Sequence, residues 1–450
     1  MNQTPHLNLR AKAPGSVKVC VEDIGRHKAV VFRIEDPASM GALLPEDGEK
    51  LVSAAQTALD KGLPLVGYIA SSGAHVPSGI GAAYGWGTAA KALVDCSGVV
   101  PLIFCGVGPV VSGPALLFGI ADLTIMLPQS YAFVSGPSMV ELFTGVPIDA
   151  DTLGGSDVHR SESGAAGFLA ADLAHAEKLI TELLDLLPPN NQELPPQIHT
   201  SDEADRLIGD AASVLPSSAS GGYDMKTILK AVADDGYLLE VRQWWAANII
   251  TAFGSIGGRV VGFVANQPQV LAGTLNIAAS QKAARFVRLC DSFNIPIVTF
   301  VDTPGFQPGK DLEWRGMIRH GAQLVFAYAE ATVPRVNVTV RKSYGGAYIV
   351  MDSKRMGNDV ALAWPTAEIA VMGAKGAVGI LHRSEPEDKR LALEESYAEK
   401  YLTPYIAAER GSIDRVIDPA DTRKEIARAI EALMTKRETL PLRSHDNSPL

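Results

Sequence analysis

Residues 341–350 read "RKSYGGAYIV", two glycines and an alanine among bulky neighbours, directly after the strand-like run "RVNVTV". Two readings of the bare backbone stand open. Glycine suits a tight turn, because it alone takes positive φ without steric cost. It also lets a ligand come close and meet amide N–H groups where a helix begins. A second stretch bears on the choice: residues 106–119, "GVGPVVSGPALLFG", are again stripped of bulk between a strand-like and a helix-like run.

These two stretches belong to an internal repeat that covers most of the chain. "KAVVFRIEDP" (28–37) is similar to "RVVGFVANQP" (259–268), and "GLPLVGYIASSG" (62–73) to "NIPIVTFVDTPG" (294–305). Lys50 and Lys282, Pro64 and Pro296, and Gly73 and Gly305 lie 232 apart; Pro101 and Pro334, and Gly113 and Gly346, lie 233 apart. After a four-residue insertion, Asp122, Pro128 and Gly136 match Asp359, Pro365 and Gly373 at 237. Bare backbone that recurs after a strand and before a helix favours a pair of amide-lined pockets over a pair of plain turns.

Each half reads as strand, helix, buried strand, glycine loop, helix, strand and terminal helix. Residues 48–61 and 279–293 have amphipathic helical spacing and are followed by apolar strand-like runs. Alternating strands and helices predict a layered α/β fold with parallel pairing. The domains expected are residues 1–195 and 222–450, joined over 196–221 by a linker rich in proline, serine and acidic residues.

With 450 residues, 47% hydrophobic and 20% charged, the chain is a globular protein of about two domains. A net charge of −10 argues against a nucleic-acid partner. Four widely spaced cysteines without a CxxC predict neither a zinc ribbon nor a disulfide framework. The N-terminal residues lack the apolar run of a signal peptide, so a cytoplasmic protein is expected. Residues 97–121 carry no charge, yet Pro101, Pro109 and Pro114 interrupt them, which predicts buried strand, loop and helix rather than a membrane span.

At these residues the sequence resembles the carboxyltransferase β subunits of biotin-dependent acyl-CoA carboxylases, from about Asp36 to about Ile430. "VANQPQVLAGTLNIAASQKAARFVRLCDSFNIPIVTFVDTPGFQPG", "GMIRHGAQLVFAYAEATVPRVNVTVRKSYGGAYIVM" and "AWPTAEIAVMGAKGAV" carry it. The resemblance implies tandem duplicated crotonase-like (ClpP/crotonase) α/β domains. It implies carboxyl transfer from carboxybiotin, held on a separate biotin carboxylase/carboxyl carrier subunit, to acetyl- or propionyl-CoA, with no metal in this chain. The same fold serves acyl-CoA decarboxylase subunits, and a non-catalytic paralogue in a carboxylase assembly is a further alternative. Acyl-CoA would occupy the first domain of one subunit and carboxybiotin the second domain of a partner, in a dimer-based homo-oligomer, typically a hexamer.

Carried over by motif, Ser112 and Gly113 form one oxyanion hole and Gly346 and Ala347 the other. Ser72, Gly73, Ala74, His75 and Gly136 fall on the acyl-CoA side, with Gly305, Tyr344, Gly345 and Ile349 as the remaining substrate contacts. The chain departs from the family's Ser-Gly-Gly-Ala-Arg at Ser71-Ser72-Gly73-Ala74-His75, and from its paired glycines at Ser112-Gly113. A serine N–H serves as well as a glycine N–H if its backbone is ordinary. Aliphatic Ile349 points to a short acyl group.

Other candidates carry less. His75 and His320 are general-base candidates, though most histidines in a chain this long are structural. Arg285, Arg288, Arg319, Arg341 and Lys342 are candidates for phosphate or partner contacts, against a solvated helix face. Asp302 and Glu313 flank a proline-glycine loop, where capping is the simpler role. Lys226 lacks the Met-Lys-Met context of a biotinylated lysine, and no nucleophile elbow, phosphate loop or HExxH pair occurs.

Overall fold

A computed structural model describes residues 7–8, 15–218 and 221–449. It divides into two compact units. The first comprises Met1–Pro196 with Arg242–Trp245 and Ser292–Asn294; the second comprises Gln197–Val241, Ala246–Asp291 and Ile295–Leu450. The proline-rich segment from Gln197 onward packs on the second unit: the Ile198 N–H donates to the Gly258 carbonyl at 2.8 Å, and Ile208 and Tyr223 enter its core.

Both units are built on one plan. In the first, the sheet order is Leu7–Asn8, Val17–Ile24, His27–Ile34, Leu65–Ser71, Leu102–Val111, Leu123–Met126 and Phe168–Leu169, with Tyr131–Phe133 also paired to Leu102–Val111. The second runs Leu239–Glu240, Ile249–Ile256, Arg259–Asn266, Ile297–Thr303, Arg335–Tyr344, Val360–Ala363 and Arg415–Val416, with Glu368–Ala370 on Arg335–Tyr344. Each begins with an antiparallel hairpin and continues in parallel. Even the irregularities repeat: the register shifts between Ile69 and Ser71, and again between Val301 and Thr303.

Sequence spacing explains the layers. The first crossover helix, Pro45–Lys61, buries Leu51, Ala54, Ala55 and Ala58, the i, i+3, i+4, i+7 stripe of a helix lying on a sheet. Its counterpart Ile277–Ser292 buries Ala279, Ala283, Phe286, Val287 and Cys290. Beneath the first lie Phe32, Leu65, Ile69 and Phe104; beneath the second lie Phe253, its ring 5.0 Å from that of Phe286, and Gly262, while Phe263, Val298, Phe300 and Val338 fill the other face of the sheet with helices Met225–Val232 and Thr422–Leu433. Each such side chain, fully buried, contributes roughly 1.5–3 kcal/mol.

One packing detail matters later. Helix Ile80–Cys96 crosses Pro45–Lys61 so closely that a Cβ on Gly48 would stand 2.1 Å from the Gly85 carbonyl oxygen. The uncharged run of residues 97–121 supplies the strand Leu102–Val111 and the helix Gly113–Ile120. Among the described residues no helix is long and apolar enough to cross a membrane. All four cysteines are free.

Candidate active site

Each unit brings two loops together. In the first, strand Leu65–Ser71 leads into residues 72–75, and strand Leu102–Val111 leads through Ser112 into helix Gly113–Ile120. A Cβ on Gly73 would stand 3.5 Å from the Ser112 Cβ, so the two loops touch. In the second, strand Ile297–Thr303 leads into residues 304–307, and strand Arg335–Tyr344 leads into helix Gly345–Val350. There a Cβ on Gly346 would meet the Phe306 ring at 3.4 Å.

The loops are held alike. Ser71 Oγ accepts from the Gly73 N–H at 3.3 Å, as Thr303 Oγ1 does from the Gly305 N–H at 3.3 Å. The Leu43 N–H donates to Gly73 and the His75 N–H to Leu43; Leu275 and Gln307 do the same with Gly305 and Leu275. Between these bonds the N–H groups of Ala74 and Phe306 have no protein acceptor among the described residues, nor do those of Gly113, Gly346 and Ala347. The last three open helices, where early N–H groups lack intrahelical partners. Each unit therefore presents unpaired donors from two adjoining loops, an arrangement suited to stabilising negative charge on an oxygen.

The first unit departs from the expectation at Ser112. Its N–H is not available, because it donates to the Phe133 carbonyl at 2.9 Å. Its backbone is not ordinary either: φ 63 and ψ −122 lie in a region that side chains enter only at a cost. The counterpart in the second unit is Gly345, at φ 58. Pro114, which occupies the place of Ala347, has no N–H to offer. Sequence reasoning overlooked Pro114, though its missing donor is legible from the residue type alone.

It also overlooked Trp86. The indole packs over Gly113, where an added Cβ would come within 3.0 Å of the ring. A side chain at position 113 would have to push this wall aside. Tyr344 plays a related part in the second unit: its hydroxyl donates to Glu368, and its ring would meet a Cβ on Gly373 at 3.2 Å. Burial and the Glu368 carboxylate push the Tyr344 phenol upward, so it stays protonated. Gly136, the counterpart of Gly373, precedes helix Pro137–Thr144 and would meet the Phe133 ring at 3.3 Å. Ile349 is partly exposed on helix Gly345–Val350.

Several of the remaining polar candidates have structural partners. His75 Nδ1 pairs with Ser78 Oγ at 2.8 Å, and His320 with Gln281 at 3.2 Å. Asp302, fully buried, accepts from Arg341 Nε at 2.9 Å and from the Lys342 N–H at 3.1 Å. Burial pushes its carboxyl up while Arg341 pulls it back. Asp302 thus braces the strand that ends at Tyr344. Arg288 bonds to Glu330 and Asp446. Among the described residues no cluster of three or more His, Cys, Asp or Glu side chains is placed to hold a metal ion.

The carboxyl transferase domain model matches residues 22–448. The propionyl-CoA carboxylase beta chain of Saccharopolyspora erythraea is 44% identical over 443 residues, covering 94% of this chain and 81% of its own length. Methylmalonyl-CoA decarboxylase subunit alpha of Veillonella parvula is 42% identical over 411 residues, covering 91% of this chain and 80% of its own. A solved structure of transcarboxylase 12S, a hexamer with methylmalonyl-coenzyme A and methylmalonic acid bound, superposes with TM-score 0.94 at 40% identity. It covers 97% of this chain and 85% of its own. The chain belongs to the carboxyl transferase family, as its resemblance to the carboxyltransferase subunits implied. Its two units are tandem crotonase-like domains, and it is a carboxyltransferase component of the biotin-dependent class.

Proposed function

We propose that the chain transfers a carboxyl group from carboxybiotin, carried on a separate subunit, to acetyl- or propionyl-CoA, giving malonyl- or methylmalonyl-CoA. The observation that carries this reading is the duplicated pair of unpaired amides, Ala74 with Gly113 and Phe306 with Gly346. Two charge-bearing oxygens arise in the reaction, one on a thioester and one on a ureido ring, and each unit offers donors for one. Residues 72–75, Ser112, Gly113 and Gly136 take the thioester, with the Trp86 ring packed against Gly113. Gly305, Tyr344, Gly345, Gly346, Ala347 and Ile349 take the ureido group. The bare backbone at Gly113 and Gly346 fits both groups, since a side chain at either would meet an aromatic ring.

Bound biotin supplies the activated carboxyl group and, once relieved of it, a nitrogen able to accept the α-proton. The chain's own work is to hold both reactants and to meet developing charge with fixed N–H dipoles, where loss of one donor typically costs roughly 3–4 kcal/mol. No histidine is required to move the proton, in keeping with the structural partners of His75 and His320. We place the protein in the cytoplasm, as a dimer-based homo-oligomer, a hexamer like transcarboxylase 12S.

The test combines the protein with an ATP-driven biotin carboxylase and its carrier, and offers acetyl-, propionyl- and longer acyl-CoAs. The expected products are malonyl- or methylmalonyl-CoA. Release of CO₂ from the carboxylated thioesters, without forward transfer, turns the reading to a decarboxylase, a class in which the Veillonella parvula protein is also similar. Absence of both reactions, with no saturable heat on titration with acyl-CoA, turns it to a non-catalytic partner.

A further inference from the structure

We propose that the Ser112 hydroxyl is a catalytic hydrogen-bond donor of the first unit, acting on the acyl-CoA thioester oxygen beside the Gly113 N–H. The proposal rests on the carboxyl-transfer reading and deepens it.

The first unit lacks one backbone donor that its counterpart offers, and Ser112 gives none. The Ser112 N–H is tied to Phe133, and Pro114 has none where Ala347 presents one. What position 112 has gained is an O–H. Three observations say that this hydroxyl is available. It makes no hydrogen bond with the described residues. It does not cap its helix: Pro114 has no N–H for it, and the Ala115 N–H goes to the Ser112 backbone carbonyl at 3.1 Å. Its Cβ lies against the Gly73 turn, 3.5 Å from where a Cβ there would sit, so the exposed side chain stands beside that turn, next in the chain to Gly113.

Chemically, removal of the α-proton moves an electron pair onto the thioester oxygen. The hydroxyl meets that oxygen as a donor and keeps its proton; no bond forms at Oγ. A serine at φ 63 is costlier than a glycine, and Gly345 shows that the fold accepts glycine at this junction. A role in folding and a role in catalysis therefore predict opposite responses to one substitution.

Ser112→Gly removes the hydroxyl, relieves the backbone and leaves the N–H bond to Phe133 in place. In the reconstituted carboxylase, the expected result is a kcat for carboxyl transfer lowered about 10–100-fold, up to the loss typical of an oxyanion donor. The melting temperature is expected to rise, and KM for acyl-CoA to change little. Transfer by Ser112→Gly at or above the wild-type rate would overturn the proposal. A second measurement needs no turnover: titration with a CoA thioester analogue whose nitro group ionises to a nitronate, placing negative charge where the enolate oxygen forms. Wild type is expected to bind it about tenfold more tightly than Ser112→Gly, the worth of one modest hydrogen bond; equal affinities overturn the proposal. Wild-type protein that transfers no carboxyl group defeats the parent reading instead, and the nitronate comparison still decides the serine.

Discussion

The two strand–helix junctions follow the same path over different undersides. Strand Arg335–Tyr344 sends Arg335, Asn337, Thr339 and Arg341, every second residue, into buried positions. At the matching places strand Leu102–Val111 has Leu102, Phe104, Gly106 and Gly108. In the second unit a polar network follows: Arg335 pairs with fully buried Asp352 at 2.8 Å, Asn358 donates to the same carboxylate at 2.8 Å, and Asn337 donates to the Met351 carbonyl at 2.8 Å. Met351 and Asp352 close helix Gly345–Val350, so directional bonds fix the far end of the helix that presents Gly346 and Ala347. In the first unit the equivalent helix rests on apolar packing and on the Trp86 wall. One junction is fastened by hydrogen bonds, the other is pressed into place.

Asp352→Ala breaks this contrast most severely. It leaves the Arg335 charge buried without its partner, a change that typically costs about 3–5 kcal/mol. A urea titration should show that loss, with the second-unit transition moved most. Next in size, Ala347→Pro copies Pro114 into the second unit and deletes one N–H. Carboxyl transfer should fall roughly 100–1000-fold, measured in the reconstituted assay with the fold verified by circular dichroism. Retained activity would mean that Gly346 alone suffices there. Smallest, Gly345→Ser copies Ser112 into the second unit. Its φ of 58 and a Val371 carbonyl oxygen 2.9 Å from the new Cβ predict a loss of about 1–3 kcal/mol in thermal unfolding. A stability equal to wild type would show that serine tolerates this junction without cost.

The duplicated α/β plan was legible because apolar runs, prolines and glycine loops kept a common register. Pro45 and Ile277, which open the matching helices, lie at the same 232-residue offset as Gly73 and Gly305. Ser112, Gly113, Gly346 and Ala347 were legible as the positions where a strand gives way to a helix, not as donors. Whether an N–H is spent depends on what lies across the sheet, and the Phe133 carbonyl that takes the Ser112 N–H belongs to a separate strand. The Arg335–Asp352 pair was hidden for the same reason, since its partners are 17 residues apart and meet only when helix Gly345–Val350 folds back. Trp86 stood in a glycine- and alanine-rich helix whose spacing says nothing of the glycine it packs against.

The close crossing at Gly48 and Gly85 reaches further than its two residues. Gly85 is the neighbour of Trp86, so the depth of that crossing sets how low the indole sits. A methyl group at position 48 would act as a shim, raising the helix and lifting the ring from Gly113. The wall beside Gly113 is thus levelled by a single hydrogen atom on another helix, the one that glycine carries at position 48 in place of a methyl group.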